Sequence, residues 1–222
     1  MRCGRSHWSP RHAIALARLL RNSTHRTNHG EFLWRSIWNE SWALQQIALD
    51  TLKRLRRKRD RRCYFIPDET QTLKRAKKMA GVRKLYHHAS GKYGTGHTMV
   101  KACLYYRGVT IPWAVALCLT PADAKKHGQA FRKQTELVAD FIRHAQLPAD
   151  LQVTVLFDAY YLCPVVVQAC KQRGWHYIGV GKANRNFTVD GRAESGASLV
   201  SWTCRAGICT VAAMPRTARA IE

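Results

Sequence analysis

Hydrophobic and polar positions change period along this chain, first near residue 63. Residues 12–20, "HAIALARLL", and 31–55, "EFLWRSIWNESWALQQIALDTLKRL", carry apolar residues at helical spacing, Leu33, Ile37, Leu44, Ile47, Leu52 and Leu55 among them. The polar stretch between them, "RNSTHRTNHG", makes the region helix, turn, helix: either a DNA-reading module or a packed helical hairpin. From residue 63 the pattern is that of strands. "CYFIP" is short and β-rich, while "HTMVKACLYY" (97–106) and "VTIPWAVALCL" (109–119) are joined by Arg107-Gly108, a hairpin turn.

A helix follows. Thr120 is placed as N-cap, Pro121 at the first helical position and Asp123 at the third, opening "TPADAKKHGQAFRKQTELVADFIRHA" with Phe131, Val138, Phe141 and Ile142 on one face. The strand "QVTVLF", a short helix opened by Pro164 and closed by Gly174, and the strand "WHYIGVG" (175–181) complete an order βββαβαβ. The expected fold class is α/β with mixed α+β character. Three regions result: a helical, basic part at 1–62, a core at 63–187, and a tail or the start of a β-rich insertion at 188–222.

Charge narrows the partners. The 222 residues contain 37 Lys plus Arg against 14 Asp plus Glu, a formal charge of +23. Such an excess repels itself unless a polyanion neutralises it, so nucleic acid is the leading partner, with double-stranded DNA the expectation, and an anionic membrane surface is the runner-up. Eight of the ten residues in "KRLRRKRDRR" (53–62) are basic. Such a run serves equally as a solvated linker and as a phosphate-binding stripe, and Lys53, Arg54, Arg56, Arg57, Lys58 and Arg59, with Lys74, Lys77, Lys78 and Lys182, are the candidate DNA contacts. A membrane is not expected: the longest apolar run, 109–119, is too short to span one and contains a proline, and the N-terminus lacks a secretory signal pattern. The chain is read as cytoplasmic and nucleoid-associated. Six of the eight cysteines are scattered, and only Cys204 and Cys209 are close, without a second pair to complete a zinc site. His87 and His88 are adjacent in sequence and therefore a poor chelating pair.

Two apolar runs end on acid in a chain short of acid: "CYFIPDET" at Asp68 and "VTVLFDAYY" at Asp158. A helix between the early strands and the fourth permits a right-handed crossover that lays the fourth strand parallel to the first, and ligands bind beyond the carboxyl ends of such strands. At the usual ~4.8 Å strand spacing two carboxylates would repel by roughly 3 kcal/mol at an effective dielectric of ~20. A divalent cation relieves that repulsion. Oxygen ligands with no Cys or His beside them favour Mg²⁺ or Mn²⁺, and a pair of such ions suits phosphodiester cleavage.

The residues around both aspartates resemble bacterial insertion-sequence transposases of the DDE type. The first segment matches through Asp68-Glu69-Thr70, Lys74, Lys77-Lys78, Gly81 and Gly96-His97; the second, "VLFDAYYLCPVVVQACKQRGWHYIGVGKANRNF", through Asp158, the aromatic after it, and Lys182-x-Asn184. The match covers roughly 63–187. It implies a ribonuclease H-like mixed sheet in which three carboxylates bind two Mg²⁺ or Mn²⁺ ions and catalyse hydrolysis and strand transfer at transposon ends. Asp68 and Asp158 carry over as catalytic and metal-binding residues. Partners implied are transposon-end and target DNA, with a homodimer on that DNA as a compatible assembly.

The third carboxylate, a glutamate on a helix after strand five, is where the sequence departs. Glu194 is the candidate, yet "VDGRAESGASLV" sets glycines on both sides of it, and the following segments read as short strands. The expectation is therefore a C-terminally truncated transposase with little cleavage of its own. Two alternatives stay open: a non-catalytic basic DNA-binding protein derived from a transposase, and a metal-dependent nuclease.

Overall fold

The computed structural model describes residues 39–75 and 79–181, single residues at 28 and 31, and the backbone of four later strands. By its packing the chain divides into Met1–Glu40 and Ser41–Glu222. The helix expected at 12–20, Lys77, Lys78, Lys182 and Cys204 lie outside the described residues, as does the side chain of Glu194.

Helix α1 (Glu40–Leu55) belongs from Ser41 onward to the second unit, through an apolar stripe. Ala48 and Leu52, four apart and so on one face, are buried in the main core. Residues 56–61, part of the run read both as a linker and as a phosphate-binding stripe, are held against the sheet. The Tyr106 hydroxyl donates to the Asp60 carbonyl at 2.8 Å and accepts from Arg57 N at 3.3 Å. Arg107 Nη1 donates to the Leu55 carbonyl at 3.1 Å.

Strand β1 (Arg62–Leu73) alternates strictly over its first half, with Cys63, Phe65 and Pro67 buried between more exposed neighbours. It does not end at Asp68, contrary to expectation, but runs five residues past it. The reason is β3 (Lys92–Tyr106), longer than expected, which pairs antiparallel with β1 from Tyr64↔Tyr105 to Leu73↔Gly96. A strand with an unbroken partner on one side continues although it has lost its partner on the other.

Strand β2 (Arg83–His87), missed in "VRKLYHH", pairs with the start of β3. Its basic and aromatic residues gave no alternation to read: only Leu85 is buried. Beyond the Arg107-Gly108 turn, β4 (Val109–Leu117) pairs with the rest of β3. Both turn residues have positive φ, 51° and 81°, as a two-residue hairpin requires. A register shift opposite Ala102/Cys103 accommodates Pro112.

The long helix expected from Thr120 is two helices. Helix α2 (Pro121–Lys126) starts as expected, with Asp123 N donating to Thr120 Oγ1 at 3.1 Å. It stops at His127, and Gly128 follows at φ 63°; α3 (Gln134–Arg143) then starts anew. Phe131, expected on the buried helical face, lies in the connection and is exposed, whereas Val138 and Ile142 are fully buried. Strand β5 (Gln152–Phe157), helix α4 (Pro164–Gln172) and strand β6 (His176–Gly181) follow the expected order. Strands β7 (Asn186–Val189) and β8 (Arg192–Ser195) form a separate hairpin that carries Glu194, and β9 (Trp202–Thr203) and β10 (Cys209–Ala213) extend the main sheet.

The main sheet runs β2-β3-β1-β5-β6-β10-β9, with β4 beside β2 on the outer edge of β3. Strands β1, β5 and β6 are parallel, the arrangement that a helical crossover permits. Helices α3 and α4 pack on the face to which Phe65, Val100, Val153 and Val155 point, forming one core. This is a mixed α/β fold with a ribonuclease H-like sheet.

Candidate active site

The register of β1 and β5 determines where the two aspartates fall. The strands pair from Arg62↔Gln152 to Phe65↔Val155 and then part. Asp68 and Asp158 each lie three residues past that last rung, so the side chains share a parity and a level. Pro67, with no N–H to offer a ladder, sits where β1 has already lost β5 as a partner. The parted strands open a cleft of about 630 Å³, with both aspartates in its lining.

Each aspartate has a different setting. Asp68 faces Lys101, its cross-strand partner on β3, with Nζ 3.8 Å from Oδ2, and both are half exposed. Asp158 begins a turn. Its Oδ1 accepts from the backbone N–H groups of Tyr160 and Tyr161 at 3.1 and 3.3 Å, which anchors the carboxylate while Oδ2 makes no hydrogen bond or ion pair among the described residues.

Glu69, noted from sequence only as the acidic neighbour in a motif, is a third carboxylate of the cleft lining. Alternation turns it to the opposite face from Asp68. There Gln134 at the start of α3 donates to Oε2 at 2.7 Å and Gln71 to Oε1 at 2.9 Å. Beneath lies Tyr161, 1% exposed, its hydroxyl without a partner among the described residues. Burial first, then the negative charges of Glu69 and Asp158, hold that phenol well above its ordinary range. Burial and Glu69 also raise Tyr160.

His87 and His88 line the same cleft, which corrects the expectation that no histidine stands beside the aspartates. His87 ends β2 and His88 begins the turn, so strand alternation no longer separates them. His87 Nδ1 is hydrogen bonded to Ser90 Oγ at 2.8 Å. Even so, among the described residues no group of three or more His, Cys, Asp or Glu side chains converges as a metal cage.

Several motif residues have structural work instead. A Cβ at Gly96 would lie 2.4 Å from the Thr72 carbonyl oxygen, so the contact between β1 and β3 admits only glycine. His97 Nε2 donates to the Ala80 carbonyl at 2.9 Å from a buried position. Gly81, at φ 73°, donates its N–H to Asp123 Oδ2 at 3.0 Å, and Thr120 Oγ1 donates to the same oxygen at 2.9 Å. These two hydrogen bonds hold the Asp123 carboxyl below the usual carboxylate range.

The basic candidates divide by partner. Arg54 pairs with Asp50 at 2.7 Å, and Arg56 pairs with Asp150. Lys53, Arg57, Lys58 and Arg59 are exposed, as is Lys74 just past β1.

The mixed sheet with its parallel centre and its cleft at the parting of β1 and β5 has the ribonuclease H-like form. The family model described as DDE superfamily endonuclease matches residues 12–194, and the chain belongs to that family. Among solved structures it is similar to the Mos1 transposase paired-end complex with left transposon end (14% identity, TM-score 0.24), covering 80% of this chain and 60% of that chain. The Mos1 strand transfer complex (12% identity, TM-score 0.25) is matched over 80% and 59% of the two chains. The Mos1 mariner paired end complex with Mn (13% identity, TM-score 0.26) is matched over 80% and 60%. The chain thus spans about 60% of the length of the structures it matches. No curated protein matches it. No helix among the described residues is long and apolar enough to cross a membrane.

Proposed function

We propose that this DDE endonuclease acts as a transposase, cutting and joining phosphodiester bonds at transposon ends, with Asp68 and Asp158 as its central carboxylates. The observation that carries this reading is their common level, three residues past the last β1–β5 rung, on the lining of one open cleft. Support for a DNA substrate comes from the +23 charge and from the exposed Lys53, Arg57, Lys58, Arg59 and Lys74.

The donor set fits a hard divalent cation. Asp68 and Asp158 offer oxygen only, are exposed, and leave room for water, as Mg²⁺ prefers with one or two carboxylates and several waters. Once bound there, Mg²⁺ or Mn²⁺ would lower the pKa of a coordinated water and offset charge on a phosphoryl oxygen. The protein's own part is positional. The turn at Tyr160 and Tyr161 holds Asp158 by one oxygen, and β3 places Lys101 where its ammonium balances Asp68 in the absence of a cation. Glu69, held by Gln71 and Gln134, adds negative potential from the other side of β1 without leaving its hydrogen bonds.

Nicking of supercoiled DNA by the full chain with Mg²⁺ or Mn²⁺ tests this. Activity lost in both Asp68→Asn and Asp158→Asn supports it; activity that survives either substitution overturns it. A chain that binds DNA yet never nicks it would favour a non-catalytic DNA-binding role instead.

A further inference from the structure

The β2–β3 hairpin carries an exposed row of aromatic and basic side chains beside the cleft. Tyr86 and Tyr93 are direct cross-strand partners, 42% and 72% exposed, with ring centroids 5.2 Å apart at 68°. The His88 ring stands 5.3 Å from Tyr86 at 83°. Lys84 Nζ lies 5.4 Å from the centre of the Tyr93 ring. The row is not a by-product of core packing, because the hairpin is anchored by its other face. Leu85 is buried there, opposite Gly94, and a Cβ at Gly94 would meet Leu73 at 2.8 Å. Both rings leave a large share of their surface to solvent, which an aromatic side chain can offer to a planar ligand.

Two further observations say what that ligand is. The row is continuous with the cleft, since His87, His88 and Ala89 of the same hairpin line it together with Asp68 and Asp158. It is also cationic: Lys84, on the same face as Tyr86 and Tyr93, is exposed and has no carboxylate partner among the described residues, and Lys92 is exposed at the hairpin tip on the other face, in a chain of charge +23. A cation beside exposed aromatic rings on a ribbon suits a strand whose bases are unpaired, with phosphates near the lysines and bases on the rings. A paired duplex has no base face to offer except at its ends.

We infer that the β2–β3 hairpin is a stacking platform for unpaired nucleotides of the DNA strand entering the cleft, with Tyr86 and Tyr93 as the base-contacting residues. The inference rests on the reading of the cleft as a DNA site. It adds that the protein distinguishes frayed or tailed DNA ends from blunt ones, independently of base sequence and before any chemistry.

Binding of fluorescent oligonucleotides by the full chain, with a chelator present and at about 150 mM salt, tests it without relying on cleavage. The probes are a blunt duplex and the same duplex with a short single-stranded tail. The wild type should bind the tailed probe more tightly. Tyr86→Ala and Tyr93→Ala should each weaken tailed binding about 5- to 150-fold and leave blunt binding unchanged. Tyr93→Phe, which keeps the ring, should retain the preference, separating loss of stacking from damage to the hairpin. Blunt and tailed probes bound equally by the wild type, or alanine variants that lose both to the same extent, would overturn the platform while leaving the DNA-binding reading in place. A chain that binds neither probe would overturn both.

Discussion

Asp68 and Asp158 stand at the same level of two parallel neighbouring strands, each three residues beyond the rung Phe65↔Val155, where β1 and β5 cease to pair. That relationship brings together two carboxylates 90 residues apart without a hydrogen bond or ion pair between them. Such an arrangement is unfavourable by itself and becomes favourable when a cation is shared.

A shared cation should therefore stabilise the fold. Millimolar Mn²⁺ or Mg²⁺ is expected to raise the melting temperature of the wild type through binding to the native state, and Asp158→Asn or Asp68→Asn should remove that rise. Glu69→Gln keeps the side-chain shape and should leave most of it. Differential scanning fluorimetry checks this, and an unchanged response in both aspartate variants would show that the two side chains do not act together. In metal-free buffer Asp68→Asn should cost little, because its pairing with Lys101 is half exposed.

Binding to double-stranded DNA should weaken steeply with salt. If six or more phosphates are contacted, affinity is expected to fall by roughly 10³ to 10⁵ between ~50 and ~200 mM salt. The ion pairs refine which residues matter. Lys58→Ala and Arg59→Ala should each lower the salt slope by about 1, whereas Arg56, engaged with Asp150, should act on stability more than on the slope. Anisotropy titrations over a salt series measure both, and a flat series would rule out phosphate-dominated binding.

Helix α1 should behave as part of the sheet domain. Leu52 is fully buried in the common core, so Leu52→Ala is expected to cost about 2 to 5 kcal/mol. Ile47 is 66% exposed, and Ile47→Ala should stay within about 0.5 kcal/mol of the wild type. Urea denaturation of the two variants decides this; equal, small effects would mean that the helix does not contribute to the core.

Two buried thiols predict a loss of stability at high pH. Burial pushes Cys63 up to about 11 and Cys170 to about 12, from an ordinary 9.0. Below pH 9 folded and unfolded chains both keep these protons, and the thiols add no pH dependence. Above pH 9 the unfolded chain releases protons that the folded chain retains, until pH 11 for Cys63 and 12 for Cys170. Stability should then fall by about 1.4 kcal/mol per pH unit for each thiol. Removing both side chains as Cys63→Ala/Cys170→Ala should lessen the drop between pH 8 and 10 by about 2 to 3 kcal/mol. A drop of the same size in the double variant would contradict it.

What the sequence determined by itself was local. The alternation in "CYFIP" and "QVTVLF", the Thr120–Pro121 and Pro164 helix starts and the Arg107-Gly108 turn each depend on residues within a few positions, and each stands in the structure where the pattern put it. The two aspartates were legible for the same reason, as acids closing apolar runs, and the parallel pairing of their strands is the arrangement that the intervening helix permitted. Tertiary structure decided what depended on distant partners. Strand β1 continues past Asp68 because β3 still pairs with it, β2 exists because β3 offers an edge, and the long expected helix breaks at Gly128. Glu69 and the two histidines joined the cleft, and Lys101 came to face Asp68, for a reason no local pattern carries. A side chain's face and level follow from cross-strand register, and register follows from which strands lie side by side.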